Sequence, residues 1–314
     1  MLTRRTLLQT TAAALAASPA LAEAPMLGAS RPTYRRVTLG GFEVTTLLDG
    51  AVPVEGPQPI FGGNTTVEAV EGLLTENNLP TDRMEFTFNP VLVNTGSALI
   101  LFDTGNGAPA RPARGLLTDR IAEAGYSVDQ VDTVVITHMH PDHIGGLLTD
   151  GAPTFPNAQY VIGEVEHGFW TSTDRVGTQA EGIHQQAMAL APTFDGRLTL
   201  IKPGDTVTSG IEALDAFGHT PGHMAYHFES EGARMVLTAD AANHYVLSLQ
   251  QPEWEVRFDM DKAAAAQTRK NLFGMLAADK VPFTGYHMPF PAMGFVERMG
   301  AGFRYVPASY QLNI

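Results

Sequence analysis

Apolar and polar positions alternate in a way that predicts strands and helices along most of the chain. The nearly continuous β-branched run at residues 131–137 (VDTVVIT) is typical of a buried strand, and the Ala-rich residues 261–278 predict the longest helix. Further strands are expected at residues 37–48, 91–94, 98–102, 160–162, 211–217, 224–229, 235–238, 281–286 and 302–306. Further helices are expected at residues 116–124, before and up to Trp170, and at 183–191, whereas the Pro- and Gly-rich residues 53–59 predict a loop. Strands and helices interleave, which indicates an α/β fold in layers.

Composition indicates a folded protein without cysteine chemistry. Hydrophobic residues make up 44% of the 314 residues, enough for a full core, and the chain contains no cysteine. Disulfides, thiolate nucleophiles and cysteine-ligated zinc are therefore excluded. No apolar run is long enough for a transmembrane helix, so we expect no stable membrane insertion.

Acidic residues outnumber basic ones. The chain has 33 Asp and Glu against 20 Lys and Arg, a formal net charge of -13. Such a surface repels phosphate backbones, so nucleic acid is not expected as a partner.

The amino-terminal residues are typical of an export signal. Arg4 and Arg5 precede an apolar stretch at residues 7–17, and Ala20-Leu21-Ala22 offers a cleavage site flanked by small residues. We therefore predict a twin-arginine-type signal peptide at residues 1–22, a leader at 23–36 and one domain at 37–314, with an ordinary Sec signal or an uncleaved anchor as the alternatives. The expected location is periplasmic or secreted, in a bacterium.

The residues richest in metal-ligand chemistry follow the buried strand at residues 131–137. His138, His140, Asp142 and His143 fall within six residues. In an extended backbone, residues two apart face the same way, so His138 and His140 can point into one site. Imidazole and carboxylate are the ligands that zinc and similar ions take when thiolates are missing. This cluster predicts a metal site.

The HxHxDH motif after a hydrophobic strand resembles the metallo-β-lactamase superfamily. Further segments match in order: the FDTG turn at residues 102–105, GHTPGH at 218–223, TAD at 238–240 and GYH at 285–287. The resemblance implies a four-layer αβ/βα sandwich with a dinuclear metal site. It covers essentially the whole chain after the signal peptide.

The resemblance also implies a role for each matching residue. One metal ion would take His138, His140 and His219, the other would take Asp142, His143 and His287, and Asp240 would bridge both. Zinc is the default metal, with manganese, cobalt or iron as alternatives. Asp103 and His223 are expected to hydrogen-bond near the ligands rather than to bind metal.

The implied reaction is hydrolysis by a hydroxide that bridges the two metal ions, with Asp142 as the catalytic residue that orients it and passes on a proton. Segments such as residues 39–50, 169–172 and 302–307 are similar to exported methyl parathion hydrolase and its lactonase-like relatives. A lactone or ester is the expected substrate, and an organophosphate triester is the alternative. A metal-binding member of the fold without catalysis stays open as a second alternative, and the resemblance implies a homodimer.

The substrate pocket of those relatives has aromatic walls. Trp170 matches one such aromatic residue, and four further residues are candidates for the same pocket: Phe290, Phe295, Tyr245 and His244. The loop at residues 105–114 (GNGAPARPAR) lacks an aromatic side chain. This thinner wall favours a lactone or ester over an aryl phosphotriester.

Overall fold

The computed structural model describes residues 32–310, 312 and 313, together with Met26 and Ser30. Its strands are β1 (Tyr34–Leu39), β2 (Phe42–Leu47), β3 (Gly50–Glu55), β4 (Arg83–Phe88), β5 (Val91–Asn94), β6 (Leu99–Phe102), β7 (Thr133–Ile136), β8 (Leu148–Thr149), β9 (Ala152–Pro153), β10 (Gln159–Gly163), β11 (Leu198–Ile201), β12 (Thr206–Thr208), β13 (Ile211–Asp215), β14 (Met224–Ser230), β15 (Ala233–Ala239), β16 (Phe283–Gly285), β17 (Met293–Met299) and β18 (Gly302–Pro307). Its helices are α1 (Pro57–Ile60), α2 (Val67–Glu76), α3 (Leu117–Glu123), α4 (Pro141–Ile144), α5 (Glu164–Thr171), α6 (Glu181–Ala189), α7 (Ala191–Phe194), α8 (Leu247–Gln250) and α9 (Lys262–Asp279).

Two seven-stranded sheets form the framework. The first has the strand order β1-β2-β5-β6-β7-β10-β11, and the second has the order β12-β13-β14-β15-β16-β17-β18. In the first sheet, β6, β7, β10 and β11 run parallel, so their carboxyl ends meet at one edge. In the second sheet, β15 and β16 are also parallel.

The inner faces of the two sheets share one hydrophobic core. Phe102 of β6 contacts Tyr226 and Phe228 of β14, with ring centroids 5.1 Å apart in both pairs. The outer face of the first sheet packs against α3, α5, α6 and α7, and the outer face of the second packs against α9. The layers therefore run helix, sheet, sheet, helix, and the predicted αβ/βα sandwich is confirmed.

Residues 50–88, here called the cap, form a separate small unit between β2 and β5. The hairpin β3–β4 and the helices α1 and α2 pack around an apolar cluster that includes Phe61, Leu74 and Met84 and extends to Leu247 and Val256 outside the cap. The predicted loop at residues 53–59 is wrong in its first part, because β3 extends to Glu55. The remainder is irregular as predicted, because the short α1 has non-helical backbone angles at Gln58 and Pro59. Pro53 is tolerated because β3 belongs to a two-stranded sheet and has a free edge.

The predicted signal peptide at residues 1–22 lies outside the described residues. Strand β1 begins at Tyr34, inside the range predicted as a leader, and pairs along its whole length with β2. None of the helices in the described part of the chain is both long and apolar enough to cross a membrane.

Candidate metal centre

The ligand-type residues all follow strand ends at one edge of the sandwich. His138, His140, Asp142 and His143 come after β7, where Pro141 opens the short helix α4. His219 lies beyond the end of β13, Asp240 directly follows β15 and His287 comes after β16. Proline suits the first turn of a helix because no hydrogen bond is lost there, so the turn into α4 is set locally.

The first group of converging atoms consists of three imidazole nitrogens. Nδ1 of His140 lies 3.0 Å from Nε2 of His138 and 3.0 Å from Nε2 of His219. Ligand atoms around one tetrahedral zinc at about 2.0–2.1 Å are separated by roughly 3.3 Å. The two separations of 3.0 Å are close to this value, and all three nitrogens lie within 4.8 Å of one another, so they can share one ion.

The second group consists of Asp142, His143 and His287. Oδ2 of Asp142 lies 3.6 Å from Nε2 of His143 and 3.5 Å from Nε2 of His287. All ligand atoms of this group lie within 4.8 Å of one another, as they do in the first group.

Asp240 lies between the two groups. Its Oδ2 is 3.3 Å from Nε2 of His219 and 3.1 Å from Nε2 of His287, while its Oδ1 is 3.3 Å from Nε2 of His143. One carboxylate therefore faces imidazoles of both groups.

Hydrogen bonds to the other ring nitrogen orient these imidazoles. His143 donates from Nδ1 to Asp103, His219 donates from Nδ1 to Asp259, and His287 donates from Nδ1 to the carbonyl oxygen of Thr87, at 2.8, 2.9 and 2.8 Å. Carboxylates and carbonyls only accept, so each Nδ1 carries a proton and each Nε2 is the ring nitrogen left to face the centre.

The unpartnered atoms fit a cation. Nε2 of His143 and Oδ1 of Asp240 are buried, and neither has a hydrogen-bond partner among the residues that the structure describes. Burial and neighbouring imidazoles lower the pKa of His138 and His140 well below the usual value, so both are neutral at pH 7. Burial opposes ionisation of Asp240, but His287 and His143 outweigh it and hold the pKa of this carboxyl well below its usual range. Burial also opposes ionisation of His143, but Asp240, Asp103 and Asp142 outweigh it and raise the pKa of this imidazole. A divalent ion takes imidazole nitrogens and carboxylate oxygens as ligands and displaces the protons they carry.

Asp103 and His223 hydrogen-bond to ligand-type residues of the centre. Asp103 accepts from the backbone N–H and the hydroxyl of Thr137 and from His143, and it adopts φ 63°. His223 donates from Nδ1 to the carbonyl of Ala216 and accepts the backbone N–H of Asp240 at Nε2. Burial lowers the pKa of His223 to about 3, so this ring is neutral and holds Asp240 by its backbone.

A cavity of about 390 Å³ adjoins His287, between the cap and the rest of the domain. Three of the five candidate pocket residues line it, namely His244, Tyr245 and Phe290. The cap contributes mainly apolar side chains, among them Leu74, Leu79 and Met84. The cavity can take an apolar group beside the ligand-type residues.

The other two candidates lie elsewhere. Trp170 is 1% exposed, belongs to the core beneath α5 and is absent from the walls of this cavity. Its ring centroid nevertheless lies 6.0 Å from that of His140. Phe295 lines a different depression, with Val281 and Pro282.

Sequence reasoning missed several residues around the centre. Glu166 and Asp259 are buried acids that hydrogen-bond to the ligand loops or to a ligand, and Phe86 of the cap stacks on His287. Glu166 carries the one available signal, because it follows a strand that ends at the same sheet edge as β7. Asp259 and Phe86 follow no comparable pattern.

Comparison with known proteins identifies a matching family model and several similar hydrolases. The family model of the metallo-beta-lactamase superfamily matches residues 88–282. A hydroxyacylglutathione hydrolase of Stenotrophomonas maltophilia is 31% identical over 44% of this chain and 40% of its own length. An N-acyl homoserine lactonase of Bacillus thuringiensis is 25% identical over 51% of this chain and 62% of its own length. The chain thus matches less than two thirds of these curated relatives.

Solved structures match over more of the chain. AidC, a dizinc quorum-quenching lactonase, superposes with a TM-score of 0.81 at 27% identity and covers 89% of this chain and 98% of its own. The hydrolase AbOPH superposes with a TM-score of 0.83 at 26% identity and covers 90% and 100%. Because the family model matches more than half of this chain, the chain belongs to the metallo-beta-lactamase superfamily.

Proposed function

We propose that this protein hydrolyses a small lactone or ester and depends on two divalent metal ions. The observation that carries the proposal is the position of Asp240. Its Oδ2 faces His219 of the first group and His287 of the second, and its Oδ1 faces His143, also of the second group. A carboxylate placed in this way suits a bridge between two ions.

We further propose that zinc is the metal, held by seven residues. His138, His140 and His219 would hold one ion, Asp142, His143 and His287 would hold the other, and Asp240 would be shared. Imidazole and carboxylate in a chain without cysteine suit zinc, although they also accept manganese, cobalt or iron. Metal analysis of protein purified from its own host distinguishes these ions.

Divalent ions bound here would supply a water of lowered pKa and would polarise the carbonyl oxygen of a substrate. Asp142 is the residue suited to move a proton, because its side chain is 23% exposed while that of Asp240 is 3% exposed. Exposure lets Asp142 exchange a proton with solvent and pass it to the leaving oxygen. The apolar cavity beside His287 would bind the acyl or ring part of the substrate.

A lactone or ester is favoured over an aryl phosphotriester by the walls of the cavity. These walls hold two aromatic side chains, Tyr245 and Phe290, and no residue of the loop at 105–114 is among them. The similarity to the N-acyl homoserine lactonase of Bacillus thuringiensis and to the lactonase AidC supports the same substrate class. One apolar contact in such a pocket is worth about 1–3 kcal/mol, or roughly 10- to 200-fold in rate.

Steady-state kinetics on the zinc-loaded chain test this proposal. We expect kcat/KM for an N-acyl lactone to exceed that for methyl parathion by about tenfold or more. A preference for methyl parathion would replace the lactonase assignment with a phosphotriesterase. Two metal ions per chain without hydrolysis of any lactone, ester or phosphotriester would favour a metal-binding role. Removal of the metal by a chelator should abolish hydrolysis, and zinc should restore it.

A further inference from the structure

Glu166 is a buried acid that lies outside the ligand set. It belongs to the first turn of α5, directly after β10, and is 0% exposed. No Lys or Arg among the described residues forms an ion pair with it. An acid in such surroundings is costly to bury unless hydrogen bonds satisfy both of its oxygens.

Four donors satisfy this carboxylate. Oε1 accepts the backbone N–H of Met139 at 2.8 Å and the indole N–H of Trp170 at 2.6 Å. Oε2 accepts the hydroxyl of Thr220 at 2.6 Å and the backbone N–H of Gly222 at 3.0 Å. Three of the donors are N–H groups that cannot accept, so both carboxylate oxygens act as acceptors in this arrangement.

Two of the loops that donate hydrogen bonds to Glu166 also carry ligand-type residues. Met139 lies between His138 and His140, and Thr220 directly follows His219. Glu166 therefore joins the loop of His138 and His140 to the loop of His219. In these loops Nδ1 of His140 lies 3.0 Å from Nε2 of His138 and 3.0 Å from Nε2 of His219.

Close backbone packing reinforces the connection. A Cβ atom at Gly222 would lie 2.1 Å from the backbone nitrogen of Glu166, so only glycine lets this loop approach the start of α5. Trp170, one turn further along α5, shares the carboxylate and brings its ring to 6.0 Å from that of His140.

We propose that Glu166 is a positioning residue for the metal site formed by His138, His140 and His219. It holds the two loops at the separation that lets their nitrogens bind one ion, and Trp170 holds Glu166 in turn. This inference rests on the proposed metal centre.

Replacing Glu166 tests the inference. Glu166→Gln keeps the size of the side chain but replaces one acceptor oxygen by an NH₂ group, which can only donate. In one orientation this group meets the N–H of Gly222, and in the other it meets the N–H groups of Met139 and Trp170. Removal of such a group behind metal ligands typically lowers metal affinity about 10- to 100-fold. We expect a loss of this size for one of the two zinc ions, measured by chelator competition. We also expect an altered visible spectrum of the cobalt-substituted protein, whose bands report ligand geometry.

A smaller change separates positioning from general stability. Thr220→Val removes one donor from the loop of His219, and we expect it to weaken the same zinc ion about tenfold, at the lower end of that range. Thr220→Ser keeps the hydroxyl and should restore the affinity. Tyr160→Phe is the matched control. It removes a buried hydrogen bond from the Tyr160 hydroxyl to the carbonyl oxygen of Phe155, and neither residue belongs to a ligand loop. It should change thermal stability but not zinc affinity.

Wild-type zinc affinity and cobalt spectra in both Glu166→Gln and Thr220→Val would overturn the inference and leave Glu166 as a core residue. If Glu166→Gln does not fold, the comparison of Thr220→Val with Thr220→Ser still decides the question. A wild-type chain that binds no zinc would instead refute the proposed metal centre. The two failures are thus distinguishable.

Discussion

Phe86 stacks on the imidazole of His287, with ring centroids 4.1 Å apart and ring planes inclined by 29°. The next residue, Thr87, accepts the hydrogen bond from Nδ1 of the same imidazole at 2.8 Å. The cap therefore sets the orientation of a ligand-type residue as well as one wall of the cavity beside it. Changes in the cap should affect substrate selection without altering the opposite side of the centre.

Filling the cavity should shorten the acyl chain that the enzyme accepts. Leu79 is half-buried and lines the cavity, so Leu79→Trp should place a larger ring inside it. We expect kcat/KM for a long-chain N-acyl lactone to fall about tenfold or more, while that for a short-chain lactone changes little. Leu73→Trp, within α2, is the control, since Leu73 packs against the cap cluster without lining the cavity. Equal losses for short and long substrates in Leu79→Trp would show that the acyl group binds elsewhere.

Asp240 and Asp142 should differ in how many metal ions depend on them. Asp240→Ala removes the carboxylate that faces both groups, so we expect reduced zinc occupancy at both sites. Asp142→Ala removes a ligand-type residue of one group, and we expect the ion near His138 and His219 to remain bound. Metal content per chain and calorimetric titration measure both effects. Two ions bound with wild-type affinity in Asp240→Ala would exclude a bridging role for this residue.

Asp259 forms a buried ion pair with Arg269 while it orients His219. Its Oδ2 accepts from Nη1 of Arg269 at 2.8 Å, and both side chains are almost fully buried. Asp259→Asn leaves the buried guanidinium without an opposite charge, which should cost about 3–5 kcal/mol in the free energy of unfolding. Asp261→Asn is the matched control, because asparagine caps the start of α9 about as well as aspartate does. Urea unfolding of the chelator-treated proteins measures both.

The contribution of Asp259 should depend on pH in one direction. Burial opposes ionisation, but His219 and Arg269 outweigh it, so the pKa of Asp259 lies below its ordinary value of 3.8. A group whose pKa is lowered on folding stabilises the folded state above its unfolded pKa and loses that contribution as the pH falls. We expect the stability difference between wild type and Asp259→Asn to be constant from about pH 7 to pH 5 and to shrink below about pH 4. A difference that grows in acid would contradict this assignment.

Export is a proposal that rests on the amino-terminal sequence. We propose that Arg4 and Arg5 direct the chain through the twin-arginine route to the periplasm. Changing both residues to Lys should leave the precursor in the cytoplasm, which cell fractionation and immunoblotting measure. Normal delivery of that variant would favour the Sec route. Inhibition of Sec transport in the wild type is the complementary control.

The ligand-type residues were predictable where their arrangement is local. His138, His140, Asp142 and His143 follow one strand, and the periods of extended and helical backbone place their side chains on neighbouring faces. The alternation of buried strands and amphipathic helices likewise predicts the layered sandwich, because each element must bury one face. His219, Asp240 and His287 came from the resemblance rather than from spacing, since the first and last of them are 68 residues apart in the chain.

The secondary structure of the cap was harder to predict because its pattern of apolar and polar residues is weak. Helix α2 (VEAVEGLLTE) buries only Val70 and Leu74, and Pro53 interrupts the strand pattern of β3. Its strands and helices are stabilised by a shared cluster that joins residues such as Leu74 and Met84 to Leu247 and Val256, far along the chain. Local periodicity carries no information about such contacts.

Tertiary structure alone decided the environment of Glu166, Trp170 and Asp259. Glu166 bonds to Met139 and Thr220 across 27 and 54 residues, and this contact turns Trp170 from a candidate wall of the pocket into a buried partner of the carboxylate. Helical periodicity indicates that Trp170 faces inward but not whether it meets a substrate or the core. Hydrogen bonds between distant segments depend on how the sheets bring strand ends together. The sequence alone therefore determined the type of chemistry, and the packing of the sandwich decided which residues hold it in place.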